Sequence, residues 1–145
     1  MTQLSQVTQL NIYPSSQAGT VAELSDLVTH ELVMSGYSLD QDDVQSIILA
    51  ECRYYSGWAM FEAQKNSVIS LDGGLILDAY EWSILEPAIR AHLDLKQAQR
   101  MESIKSIGSA DFGLSVSEAR QIYIQERAEI PKTSFIEPPY SLELD

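Results

Sequence analysis

Residues 77–107 read Leu77-Asp-Ala-Tyr-Glu-Trp-Ser-Ile-Leu-Glu-Pro-Ala-Ile-Arg-Ala-His-Leu-Asp-Leu-Lys-Gln-Ala-Gln-Arg-Met-Glu-Ser-Ile-Lys-Ser-Ile107, and this stretch decides the fold class. Trp82, Leu85, Ile89, Leu93, Met101, Ile104 and Ile107 follow a helical period, which makes it the longest helical pattern in the chain. Pro87 lies inside it. A proline either starts a helix in its first turn or kinks one in progress. The pattern is read as a short lead-in from Ala79 and a main helix from Pro87 to about Ile107, stopped by Gly108.

Toward the C-terminus, Gly108–Gly113 is a loop, and Ser115-x-x-Glu118 is a capping box. The helix it opens carries Ala119, Ile122, Tyr123 and Ile130 on its apolar face and is expected to end before Pro131. Toward the N-terminus, Val68–Leu77 reads as a β-hairpin turning at Asp72-Gly73, because that dipeptide supplies positive φ between two apolar runs. Upstream lie two further helices. Thr20 and Glu23 form the capping box of the first, whose apolar positions are Val21, Leu24, Leu27, Val28, Leu32 and Val33 and whose stop is Gly36. Asp40, Asp42 or Asp43 caps the second, where Val44, Ile47, Ile48, Cys52, Tyr55 and Ala59 share a face that runs to about Phe61 or Ala63.

These elements predict a mainly α protein: a helical bundle with one short β-hairpin and an extended C-terminal arm. Residues 1–19 are an extended N-terminal segment, 20–131 the helical domain with its hairpin near 67–77, and 132–145 the arm. In the arm, Pro138 and Pro139 forbid helix, while Phe135, Ile136, Tyr140, Leu142 and Leu144 are too apolar for a solvated tail. Tyr140, Leu142 and Leu144 alternate with polar residues, a period that suits a strand added to an exposed edge. Phe135, Ile136, Pro138, Pro139, Tyr140, Leu142 and Leu144 are therefore the candidate partner-binding residues.

The net charge is −12, which argues against a protein built to grip nucleic acid. Residues 1–52 hold seven acids and no Lys or Arg, whereas 90–132 hold seven basic groups against six acids. One reading is a solvated acidic face. The other is a head-to-tail subunit interface, with Asp40, Asp42 and Asp43 of one copy meeting Arg90, Arg100 and Lys105 of the next. No apolar run approaches the length of a membrane helix, and Met1–Val7 has no secretory character, so cytoplasmic synthesis is expected.

No catalytic constellation stands out. His30 and His92 lie in different helices, each with acids nearby, and a metal site needs them to converge. The Asp40–Asp43 cluster lacks the glycine and terminal glutamate of a calcium loop, and helix capping explains it. Cys52, the single cysteine, reads as a small buried hydrophobe. Tyr54, Tyr55, Trp58 and Phe61 form an aromatic cluster, read as core packing with an interface patch as the alternative. No cofactor is implied.

One resemblance spans somewhat under half the chain. It is carried by Leu77, Glu81-Trp82, Glu86-Pro87, Gln97-Ala98-x-Arg100-Met101-Glu102, Gly108, Phe112-Gly113-Leu114-Ser115-Val116-Ser117-Glu118-Ala119 and Ile130-Pro131-x-x-Ser134-Phe135-Ile136-Glu137-Pro138-Pro139. In these positions the chain resembles the head–tail connector proteins of tailed bacteriophages, also called head-completion or neck-adaptor proteins. The resemblance implies a non-enzymatic virion protein, made in the host cytoplasm and placed in the neck. It implies a homo-oligomeric ring of about twelve copies between the portal protein and the tail or stopper, through which DNA passes without sequence-specific binding. The alternative reading is an acidic binding or inhibitor module directed at a basic or DNA-binding partner.

Overall fold

A computed structural model describes residues 16–65, 67–105 and 114–134. The chain order is β1 (Gln17–Thr20), α1 (Val21–Met34), α2 (Gln41–Ser56), a 3₁₀ turn (Glu62–Gln64), β2 (Ile76–Asp78), α3 (Ala79–Lys105) and α4 (Val116–Ser134). Among the described residues the protein is mainly helical with one two-stranded antiparallel pairing, as the sequence leads one to expect.

The strand pairing is not the local hairpin expected at 67–77. Ile76–Asp78 pairs with Gln17–Thr20, from the segment read as merely extended. The chain does turn at Asp72-Gly73, but without the positive φ expected there: Leu75 N–H donates to the Asp72 carbonyl at 3.0 Å, and Gly74 N–H to Asp72 Oδ1 at 2.9 Å. Its outgoing backbone is claimed elsewhere, because Val21 and Ala22 at the start of α1 have unpaired N–H groups to satisfy. They donate to the carbonyls of Leu75 and Gly73, both at 2.9 Å. Val68, on the strand expected to be the partner, is fully exposed. A side chain at Gly73 would meet Gln45 Nε2 at 3.0 Å and Ala22 Cβ at 3.5 Å, so the turn packs close against α1 and α2 and a larger residue there would push the Gln45 side chain aside.

The caps follow the sequence closely. Thr20 and Glu23 exchange bonds at 3.1 and 2.9 Å, Asp40 and Asp43 at 2.9 and 3.1 Å, and Ser115 and Glu118 at 3.1 and 3.1 Å. Gly36 follows the C-cap of α1 with φ of 89°, the left-handed conformation that favours glycine.

Three boundaries differ from expectation. α2 stops at Ser56 with Gly57 as its C-cap, and Phe61 folds back so that its ring lies 4.7 Å from that of Tyr55. α3 is one helix from Ala79, with Pro87 inside it. Proline removes the bond to the carbonyl four residues earlier, here Ser83; both residues are exposed, so that carbonyl stays within reach of water. α4 likewise runs through Pro131 to Ser134. The hydroxyls of Thr133 and Ser134 donate to the carbonyls of Glu129 and Ile130 at 3.0 and 2.7 Å, serving acceptors at the helix end. Residues 132–134, read as the start of the arm, are thus helical.

The main core lies between α1, α2, α3 and the strands, around Val28, Ile48, Cys52, Phe61, Leu77, Leu85, Ile89 and Leu93. α4 reaches that core through Ile130. The rest of its seam is a separate small cluster of Leu95, Ala98 and Ala119, flanked by Val116 and Tyr123. Ile122, expected on the buried face, is 38% exposed, and Leu27 of α1 is exposed as well.

Candidate functional site

The most unusual chemistry lies where α2, α3 and α4 meet. Glu51 sits among Ile47, Ile48, Cys52 and Tyr55 on the buried face of α2, and its side chain is fully buried. A carboxylate there needs donors, because leaving water is costly unless hydrogen bonds or a counter-charge replace it. Two groups converge on Oε2. The Tyr123 hydroxyl of α4 donates at 2.6 Å, and His92 Nδ1 of α3 lies at 2.7 Å. The His92 and Tyr123 rings lie 4.6 Å apart. Arg127, one turn on in α4, brings Nε to 3.7 Å from Glu51 Oε1, too far for a hydrogen bond. Glu51 Oε1 and Arg127 Nε are both buried without a hydrogen-bond partner. The guanidinium instead stacks on Tyr54, with Cζ 4.1 Å from the ring centroid. Burial, then the hydrogen bond to Glu51, raises the Tyr123 phenol above its ordinary value, so it stays a donor.

This junction ties three helices together through one carboxylate. It was partly legible in the sequence. Glu51 is an acid inside an apolar stripe, one turn from Ile47 and from Tyr55. The sequence reading noted only that acids lie near His92 and placed Tyr123 on the apolar face of α4; it did not bring Glu51 and Arg127 to them, since nothing in the chain's spacing says which face of α4 meets α2.

Asp94 has another role. It accepts from the Tyr37 hydroxyl at 2.5 Å, and burial followed by that bond pushes the phenol up to about 12. The pair lines a cleft of about 410 Å³ with Gly36, Gln97, Ala98, Met101 and Leu114. Gln97 Oε1 accepts from the Ser38 backbone N–H at 3.0 Å, which adds a second tie between the α1–α2 loop and α3.

The residues considered for a subunit interface are largely engaged within the chain. Arg90 contacts Glu31 at 2.7 Å and Glu86 at 3.1 Å. Arg100 reaches Asp43 at 3.0 Å and the Ser38 carbonyl at 2.8 Å. Asp40 caps α2, Asp42 is exposed in its first turn, and Lys105 closes α3. The acidic and basic halves therefore meet, at these positions, inside one molecule. Asp43 lies below the usual carboxylate range, chiefly through its bond to the Asp40 N–H and also through Arg100. Phe135, Ile136, Pro138, Pro139, Tyr140, Leu142 and Leu144 lie outside the described residues, as do residues 1–15 and the Gly108–Gly113 loop.

A second buried acid, Glu81, is structural. Its Oε1 accepts from Asp78 N–H at 3.0 Å and its Oε2 from Glu62 N–H at 2.7 Å, while Asp78 Oδ1 accepts from Glu81 N–H at 2.7 Å, so Glu81 completes a capping box with Asp78 and holds the 3₁₀ turn. Burial raises its pKa, partly offset by those two bonds. Cys52 is fully buried, and burial first, then nearby Glu81 and Glu51, pushes its thiol up to about 12. Tyr55 and Phe61 are buried, whereas Trp58 is 42% exposed, so the aromatic cluster is part core and part surface. His30 is exposed on α1, and among the described residues no group of three or more His, Cys, Asp or Glu is placed to hold a metal ion. No helix among them is long and apolar enough to cross a membrane.

No protein family, curated protein or solved structure matches the chain.

Proposed function

We propose that the chain is a structural subunit of a tailed-phage neck, forming a ring between portal and tail that extends the DNA channel and docks the tail or stopper. The supporting observation is where the residues of the resemblance fall. Leu77 is buried in β2, and Glu81 completes the capping box of α3 with Asp78. Gln97–Glu102 lie in the second half of α3, and Ser115–Ala119 open α4. These residues build the α3–α4 pair, which leads the chain past Ser134 into the apolar, proline-containing segment that ends it. In this reading Phe135, Ile136, Tyr140, Leu142 and Leu144 contact the portal or a neighbouring copy. The surface of α4 adds apolar area at Ile122 and Ile124, and the segment leading into it adds Leu114, all exposed.

Negative-stain electron microscopy of particles made without this gene tests the reading. DNA-filled or leaking heads beside separate, complete tails are expected. Normal tailed particles would overturn it and favour the acidic binding module, whose signature is a one-to-one soluble complex with a basic partner.

A further inference from the structure

We propose that α4 is a detachable strap, a helix that leaves the α1–α3 bundle as one unit and is reseated in a single register by the Glu51 junction. Three observations carry this. First, the helix lies close along α3, yet few of its own side chains are buried. Of its nineteen residues, Ala119 and Ile130 are buried, and one of these is an alanine. α2 buries six of sixteen. Second, its apolar seam is a satellite. Leu95, Ala98 and Ala119 form their own cluster, and Ile130 is the α4 residue that joins the main one. Structural units with few apolar ties to the core are the ones that open below the global unfolding free energy.

Third, the polar junction specifies position more than it adds strength. Glu51 Oε2 is satisfied twice, whereas Oε1 and Arg127 Nε form an ion pair at 3.7 Å that makes no hydrogen bond. Undocking returns both to water, so the desolvation borne in the docked state offsets much of what the bonds contribute. Sliding α4 along its groove would separate the Tyr123 hydroxyl from an oxygen it meets at 2.6 Å and leave the carboxylate buried with fewer donors. A weak seam combined with a position-sensitive lock is the arrangement of an element that opens and returns to one place. Release uncovers Leu95 and Ala98, which follow His92 by about one and two turns of α3. The inference stands apart from the neck reading and survives its failure.

Hydrogen exchange of the full chain, followed by mass spectrometry, tests it. Peptides covering 117–134 should exchange together, about tenfold or more faster than those covering 44–55 and 82–98. Tyr123→Phe keeps the ring against His92 and removes the donor to Glu51. It should speed the 117–134 block by a further factor of about five and leave 44–55 unchanged. Tyr37→Phe, which cuts the tie between the α1–α2 loop and α3, should not change α4. Equal protection across α2, α3 and α4 in the unaltered chain overturns the proposal. So does a Tyr123→Phe variant that speeds all helices alike or none, or a Tyr37→Phe variant that speeds α4.

Discussion

α2 and α4 are capped by the same device and are similar in length, yet they belong to the molecule in different ways. Each begins with a reciprocal capping box, Asp40 with Asp43 and Ser115 with Glu118. α2 then lays Val44, Ile47, Ile48, Cys52 and Tyr55 into the main core. α4 offers Ala119 and Ile130, a tyrosine that bonds to a buried acid, and an arginine that stacks on Tyr54. Local helix signals are thus equal in kind, while the apolar area that makes a helix part of a cooperative core is not. Most helical stability in proteins comes from packing of a face rather than from local propensity.

The largest test of this contrast makes the same change on both sides. Ile48→Ala and Ile130→Ala each empty a buried site. Ile48→Ala should lower global stability by about 3 kcal/mol in urea denaturation. Ile130→Ala should cost about 2 kcal/mol, near the lower end for such changes, because the loss is limited to what the docking of α4 contributes. Equal losses in one cooperative transition would mean that α4 is as much core as α2.

The caps give a smaller effect that sharpens the contrast. Asp40→Ala and Ser115→Ala should each weaken their helix by about 1 kcal/mol. The first should appear in the global denaturation midpoint. The second should appear mainly as faster exchange in 117–134. A midpoint shift of the same size for both would break the comparison.

Acid dependence tests the bundle side alone. The folded pKa of Glu81 is raised above its ordinary 4.5, mainly by burial. Its contribution to stability is therefore fully present below about 4.5 and is lost as pH rises through the folded value. Glu81→Gln keeps an acceptor for the Asp78 or Glu62 N–H and should flatten the stability–pH curve in that window. An unchanged slope would assign the acid dependence to other groups.

The smallest effect is expected at the two ion pairs of Arg90, one to Glu31 of α1 and one to Glu86 within α3. Arg90, Glu31 and Glu86 are each at least a third exposed, and such pairs contribute about 0.5 kcal/mol or less after solvent screening. Arg90→Ala should barely move the denaturation midpoint. A loss above about 1 kcal/mol would show that the charges facing each other across α1 and α3 help hold the bundle.

What the sequence determined by itself were the local features: the helical class, the capping boxes at Thr20, Asp40 and Ser115, the Gly36 stop and the turn at Asp72. Each depends on residues within a few positions of one another, where spacing and side-chain type are enough. Tertiary structure decided which backbone Ile76–Asp78 would pair with, because the neighbouring α1 N-terminus had donors to satisfy. It carried α3 past Pro87 and α4 past Pro131, where solvent or hydroxyl groups could serve the carbonyls. It paired Arg90 and Arg100 with acids of the same chain. Most of all, it brought Glu51, His92, Tyr123 and Arg127 to one point from three helices. Periodicity says that a helix has an inner face, but only packing says what that face meets.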